Sequence, residues 1–137
     1  MCYLKFWGER LTNKSGVLIS YNIEPFLPSI FSHAPSNSSA YPPERAQGLL
    51  PFNIYFSWTD PADDEFMRDA ARQSATHLTS VAIEEGQYVG NAALYPNYAL
   101  VGTPLEKMYG QNVGHLRALK QKIDPEDVMG LAGGWKF

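Results

Sequence analysis

Apolar and polar residues alternate along GVLISYNIE, with Val17, Ile19, Tyr21 and Ile23 on one side and Leu18, Ser20 and Asn22 on the other. A period of two predicts a half-buried β-strand. Pro25 and Pro28 end it, and Pro28 is preset for the first turn of a short helix through Ser29, Ile30 and Phe31. The next stretch, APSNSSAYPPERAQG, has the Pro, Ser and Gly content of a surface loop. LLPFNIYFSW then repeats the alternation: Phe52, Ile54, Phe56 and Trp58 share one face, and Asn53, Tyr55 and Ser57 share the other. Thr59-Asp60-Pro61 followed by Asp63, Asp64 and Glu65 predicts a helix start, with Asp60 as cap and the acids at the positive end of the dipole. Met67, Ala71, Leu78, Val81 and Ala82 recur at helical spacing up to Gly86. QYVGNAALYPNY has no period. Gly102-Thr103-Pro104 opens another helical stretch, and Val113, Leu116, Leu119 and Ile123 continue it until Asp124-Pro125.

Two strands with one apolar and one mixed face, plus amphipathic helices to cover the apolar face, predict an α+β fold. The expected architecture is a small antiparallel sheet covered on one face by helices, two layers in a single domain over residues 1–137. The Tyr, Asn and Ser face is left for water, a ligand or a protein.

Composition narrows the function classes. A net charge of −3 argues against nucleic-acid binding, which needs a clustered excess of Lys and Arg. No apolar run is long enough for a membrane helix, and MCYLKFWGER makes a poor secretory signal, so a cytoplasmic location is expected. Cys2 is the sole cysteine, which excludes an internal disulfide and argues against a cysteine metal site. His33, His77 and His115 lack metal-ligand spacing, so no metal is expected, and Asp63, Asp64 and Glu65 are explained by the helix dipole.

The remaining signal is an ordered set near the C-terminus: Tyr95-Pro96-Asn97-Tyr98-Ala99, Tyr109-Gly110-Gln111-Asn112, Leu116-Arg117 with Lys120, then Asp124-Pro125 and Val128. This set resembles the C-terminal signature of berberine-bridge-enzyme-like FAD-linked oxidases. The ending Gly133-Gly134-Trp135-Lys136-Phe137 is similar to fungal members of the solanapyrone-synthase-like branch, and PFNIYFSWTDPADDEFM resembles their substrate-domain strand and helix. The likeness is specific from about Leu50 to the end. Leu100 and Met129 depart from it, standing where an acidic residue and a Phe are usual.

The resemblance implies that this stretch lies over a flavin, with Tyr95 near the reacting centre as catalytic base and Asn97 near the isoalloxazine. Tyr55, Asn53, Asn22, Ser20 and Tyr98 are the expected substrate-binding residues. The family's FAD domain, with its flavin-attaching His and Cys, has no counterpart in this sequence, so no cofactor is expected. From this follow three function classes. The first is a cofactor-independent cyclase or pericyclase (Diels-Alder or hetero-Diels-Alder type) of fungal secondary metabolism, acting on a polyketide- or terpenoid-like small molecule. The second is an FAD-linked oxidoreductase fragment working with a separate FAD-domain chain. The third is a non-catalytic binding or scaffold module. An uncovered apolar and aromatic sheet face also predicts a homodimer or higher oligomer.

Overall fold

The computed structural model describes residues 3–46 and 48–137; the notable cysteine, Cys2, lies outside them. The elements in order are α1 (Tyr3–Thr12), β1 (Gly16–Ile23), α2 (Pro28–Ser32), β2 (Phe52–Trp58), α3 (Asp64–Glu84), α4 (Leu105–Tyr109) and α5 (Val113–Ile123). The chain divides into two compact units. One comprises the chain through Pro25 together with Leu50–Asn91; the other comprises Phe26–Leu49 together with Ala92–Phe137.

The first unit is the α+β layer pair. Strands β1 and β2 pair antiparallel, with Ile19 opposite Phe56 and Tyr21 opposite Ile54. Trp7 and Leu11 of α1 and Met67 and Ala70 of α3 are buried together, and Ile19, Phe56 and Trp58 pack against them. Both helices therefore cover the sheet face that the alternation marks as apolar. The register shifts between Gly16 and Leu18, leaving Val17 as an extra residue. That bulge turns Val17 out of the apolar row, where it is 67% exposed, against the expectation that it faces inward. Ile23, at the strand end, is also exposed.

Helix α1 was not anticipated from the alternation, yet Tyr3, Trp7 and Leu11 stand four residues apart, one stripe of a helix. Trp7 and Leu11 are its buried residues. The Trp7 indole N–H is the one buried side-chain donor among the described residues without a partner. Leaving such a group unpaired costs about 1–3 kcal/mol, which burial of the large ring must offset.

At the start of α3, Asp60 accepts a hydrogen bond from the Ala62 N–H (2.9 Å) and Pro61 opens a 3-10 turn, Pro61–Asp63, that leads into the helix. The buried stripe is Met67, Ala70 and Ser74, with Leu78 half-buried, whereas Val81 is exposed. Ser74 is polar, so the apolar periodicity of the helix does not mark it as buried. Its hydroxyl lies 3.1 Å from the Tyr21 hydroxyl, which satisfies both.

The acidic run does more than meet the dipole. Asp63 accepts hydrogen bonds from the Ser15 N–H and hydroxyl, each at 2.9 Å, and Lys14 stands 3.4 Å away. These contacts fasten the start of β1 to the start of α3. The Ser15 backbone bond is the leading cause of a lowered Asp63 pKa, followed by the Ser15 hydroxyl. A carboxylate with a depressed folded pKa contributes stability that is present above its unfolded value and lost as pH falls through the folded one. Acid unfolding is therefore expected to steepen below about pH 3.8, the ordinary Asp value, and Asp63→Asn is expected to remove part of that dependence. Circular dichroism across an acid titration checks this; an unchanged profile in Asp63→Asn contradicts it.

The second unit contains α2, α4 and α5 and two irregular stretches. Phe26 and Leu49 form an isolated antiparallel bridge. Met108 and Val113 are its buried apolar residues, while Leu119 and Ile123, expected on the apolar stripe of α5, are 42% and 71% exposed. After α5, Lys120 bonds Asp124 (2.9 Å) and Asp127 (2.7 Å), and Asp124 in turn accepts the Val128 and Met129 N–H groups. The chain then returns so that Phe137 meets Tyr109 edge-on at 5.4 Å. Among the described residues no helix is long and apolar enough to cross a membrane.

Candidate functional site

Tyr95 to Tyr98 form a β-turn closed by the Tyr98 N–H donating to the Tyr95 carbonyl at 3.0 Å. Pro96 sits at the second position, where its fixed φ suits the turn. A second turn follows, Leu100 to Thr103, closed at 3.0 Å with Gly102 at φ 88°. A positive φ at that position favours Gly. Two tight turns within nine residues, Tyr95 to Thr103, explain why this segment has no period.

The turn puts Asn97 where its amide donates to the Tyr95 hydroxyl oxygen at 3.0 Å. Asn97 is exposed and Tyr95 half-buried. The Tyr95 ring is enclosed by three others meeting it edge-on: Tyr98 at 5.0 Å, Phe26 at 5.2 Å and Tyr41 at 5.7 Å. Edge-to-face packing of this kind is worth about 0.5–1.5 kcal/mol per pair beyond area burial. The ring is thus held by apolar neighbours while its oxygen is held by an amide. Because Asn97 is the donor, the Tyr95 O–H is not used in this bond and is left for a second partner.

The expected substrate-binding residues Ser20, Asn22, Asn53 and Tyr55 belong to the first unit and share one sheet face. Ser20 lies opposite Tyr55, and Asn22 opposite Asn53. The Ser20 hydroxyl donates to Asn22 Oδ1 (3.1 Å), and Asn53 Nδ2 donates to the Tyr55 oxygen (3.0 Å). Asn53 is only 3% exposed, whereas Tyr55 is 51% exposed. Leu18 on the same strand is also exposed, so a partly apolar surface borders the polar pairs. Tyr98, the remaining expected contact, stands in the second unit beside Tyr95. The structure thus gathers the seven residues into two groups, each within its own unit.

Two residues outside the expected set, Tyr41 and Phe26, belong to the Tyr95 group. Tyr41 stands in the Pro- and Ser-rich loop, and Phe26 directly follows the strand-ending proline. An aromatic isolated in a polar loop was the available signal for Tyr41. Burial first, and then the repulsion that two neighbouring phenolates at Tyr41 and Tyr95 would feel, push the Tyr41 phenol pKa up. Among the described residues no cluster of His, Cys, Asp and Glu has the makings of a metal site.

No family model matches the chain. No solved structure matches it. Over 112 residues it is 32% identical to the FAD-linked oxidoreductase fogF of Aspergillus ruber, covering 81% of this chain and 22% of that protein. It is 29% identical over 120 residues to the FAD-dependent monooxygenase sdcF of Emericella nidulans, covering 84% of this chain and 25% of that one. It is also 25% identical over 127 residues to the Oligopeptidase PhomG' of Diaporthe leptostromiformis, covering 88% of this chain but 10% of that protein. The chain spans a quarter or less of the length of these curated relatives. It is similar to a short part of fungal FAD-linked oxidoreductases.

Proposed function

We propose that the chain forms the substrate-side part of an FAD-linked oxidoreductase of the berberine-bridge-enzyme-like kind, with Tyr95 as its working phenol. The observation that carries this reading is the Asn97-to-Tyr95 hydrogen bond within a turn whose amide faces solvent. The exposed Asn97 amide and the rings of Tyr95 and Tyr98 are groups that fit against a flat heteroaromatic ring with polar edges. When bound there, FAD would supply the two-electron oxidation. Tyr95 moves a proton at its hydroxyl oxygen, Asn97 fixes that oxygen, and the enclosing rings restrict the phenol to one orientation. The Ser20, Asn22, Asn53 and Tyr55 face is assigned to substrate contact.

Two relatives whose names state a redox chemistry name FAD, which favours this reading over a cofactor-free cyclase. The oligopeptidase shares too small a part of its length for its activity to be carried over. The exposed Leu18, Ile23, Leu50 and Phe52 of the first unit also favour a covering partner. The rest of the oxidoreductase, in the same polypeptide or another, is the occupant proposed.

Expressed alone, the chain is expected to elute colourless, because its sequence holds no glycine-rich phosphate loop to grip the pyrophosphate. Co-expressed with the part of the Aspergillus ruber relative outside the matched segment, it is expected to elute as a yellow complex of both chains. Separate elution of the two, or a self-associated chain that ignores the relative's part, overturns the reading.

A further inference from the structure

We infer that Asn112 is a positioning residue for Tyr95, acting through Ala40 and Tyr41. The inference rests on Tyr95 being the working phenol of the proposed function.

Of the three rings around Tyr95, Tyr98 is carried by the same turn and Phe26 is fixed by its bridge to Leu49. Tyr41 comes from a stretch with neither helix nor strand, so its ring needs some other restraint. Asn112 supplies one: its Nδ2 donates to the Ala40 carbonyl at 2.8 Å across 72 residues of sequence. Ala40 immediately precedes Tyr41, so this bond fixes the backbone from which the Tyr41 side chain departs. At the far end of that side chain, the hydroxyl makes a long 3.5 Å contact to the carbonyl of Ala93, two residues before Tyr95.

The remainder of the loop is braced as well. The Arg45 guanidinium donates to the carbonyls of Phe31, Ala34 (2.9 Å) and Pro35 (3.2 Å), closing the end of α2. Asn112 itself closes the 3-10 turn Gly110–Asn112, which runs directly into α5. The rigid end of a helix thus grips a loop, the loop presents Tyr41, and Tyr41 meets Tyr95 edge-on. Loss of the grip frees the Tyr41 ring and with it one wall of the Tyr95 enclosure. A phenol able to swing off its line loses rate without losing chemistry.

Fluorotyrosine incorporated throughout the chain gives fluorine NMR resonances for each tyrosine, and Tyr95→Phe and Tyr41→Phe variants identify the two of interest. Asn112→Ala, and the isosteric Asn112→Asp that lacks the amide donor, are expected to move both resonances. Those of Tyr21 and Tyr55, in the other unit, are expected to stay. Tyr41→Leu is expected to move Tyr95 as well, and adding Asn112→Asp to it is expected to move Tyr95 no further. If Asn112→Ala fails to fold, Asn112→Asp and Tyr41→Leu carry the test. A Tyr95 resonance unmoved in a folded Asn112 variant, or fully additive in the double variant, overturns the inference. The readout needs neither flavin nor substrate. Coupling seen beside a fully active Tyr95→Phe complex therefore retires the functional reading alone, and Tyr95-dependent turnover with an unmoved resonance retires the positioning role alone.

Discussion

Tyr95→Phe is expected to slow substrate-driven flavin reduction in the assembled complex about ten- to a thousand-fold, the range for losing one well-placed proton donor or acceptor. The change removes a single oxygen. The ring stays against Phe26, Tyr41 and Tyr98, so the enclosure keeps its shape. What stability is lost comes from the bond to Asn97, which lies on an exposed side chain and contributes about 1 kcal/mol at most. A melting temperature close to that of the parent, with a slow reduction step in single-turnover kinetics, is the expected pair of results. A destabilised protein with full turnover would assign Tyr95 to packing instead. Asn97→Ala is expected to fall between, since the phenol remains but its oxygen is no longer held.

The largest expected loss of stability is at Met67. Its side chain is 1% exposed and sits among Trp7, Leu11 and Ala70 where two helices close over the sheet. Met67→Ala removes packing from both helices and leaves a cavity that Trp7 and Phe56, large and rigid, fill poorly. Core truncations of this kind cost about 2–5 kcal/mol. Against a total stability of roughly 5–15 kcal/mol for an ordinary domain, this is severe. Urea titration followed by tryptophan fluorescence measures it; a change of a few tenths would mean that the helices do not close over the sheet as described. Met67→Leu, which nearly conserves volume, is expected to cost far less.

Much of the first unit was legible because its periods are clean. Alternation marked both strands, and Asp60-Pro61 with three acids marked the approach to α3. The failures there share a cause, since tertiary contacts overrode a local pattern. Val17 fits the inward row until a bulge displaces it, and nothing in the one-dimensional alternation encodes an extra residue. Ser74 is buried because Tyr21 on a facing strand satisfies its hydroxyl, a partner 53 residues away. Helix α1 was hidden in plain sight, since Tyr3, Trp7 and Leu11 have helical spacing but sit among charges that break an apolar run.

In the second unit the residue types of the site were legible and its architecture was not. Tyr95 and Asn97 stood out through their resemblance to a family motif, and the turn brings them into contact. The loop from Ala34 onward has a composition that reads as loose surface chain. It is held instead by Arg45, whose fork of donors finds three carbonyls, and by Asn112, from 72 residues away. Hydrogen bonds of that separation leave no periodic trace. The Tyr109-Gly110-Gln111-Asn112 segment therefore carries a structural meaning that only the folded chain displays: it ends in the amide that grips Ala40.

Emission from the flavin tests most directly whether Tyr95 faces that ring. A tyrosine packed against a flavin quenches its fluorescence by electron transfer, and phenylalanine, harder to oxidise, does not. The complex is assembled with the Aspergillus ruber relative's remaining part, and with Tyr98→Phe in both proteins so that the neighbouring ring cannot quench. The chain that keeps Tyr95 is expected to give a dim flavin and Tyr95→Phe a brighter one, at equal flavin content. Emission that is unchanged by Tyr95→Phe, in a complex that still forms and still holds FAD, would place Tyr95 away from the flavin and contradict the proposed role.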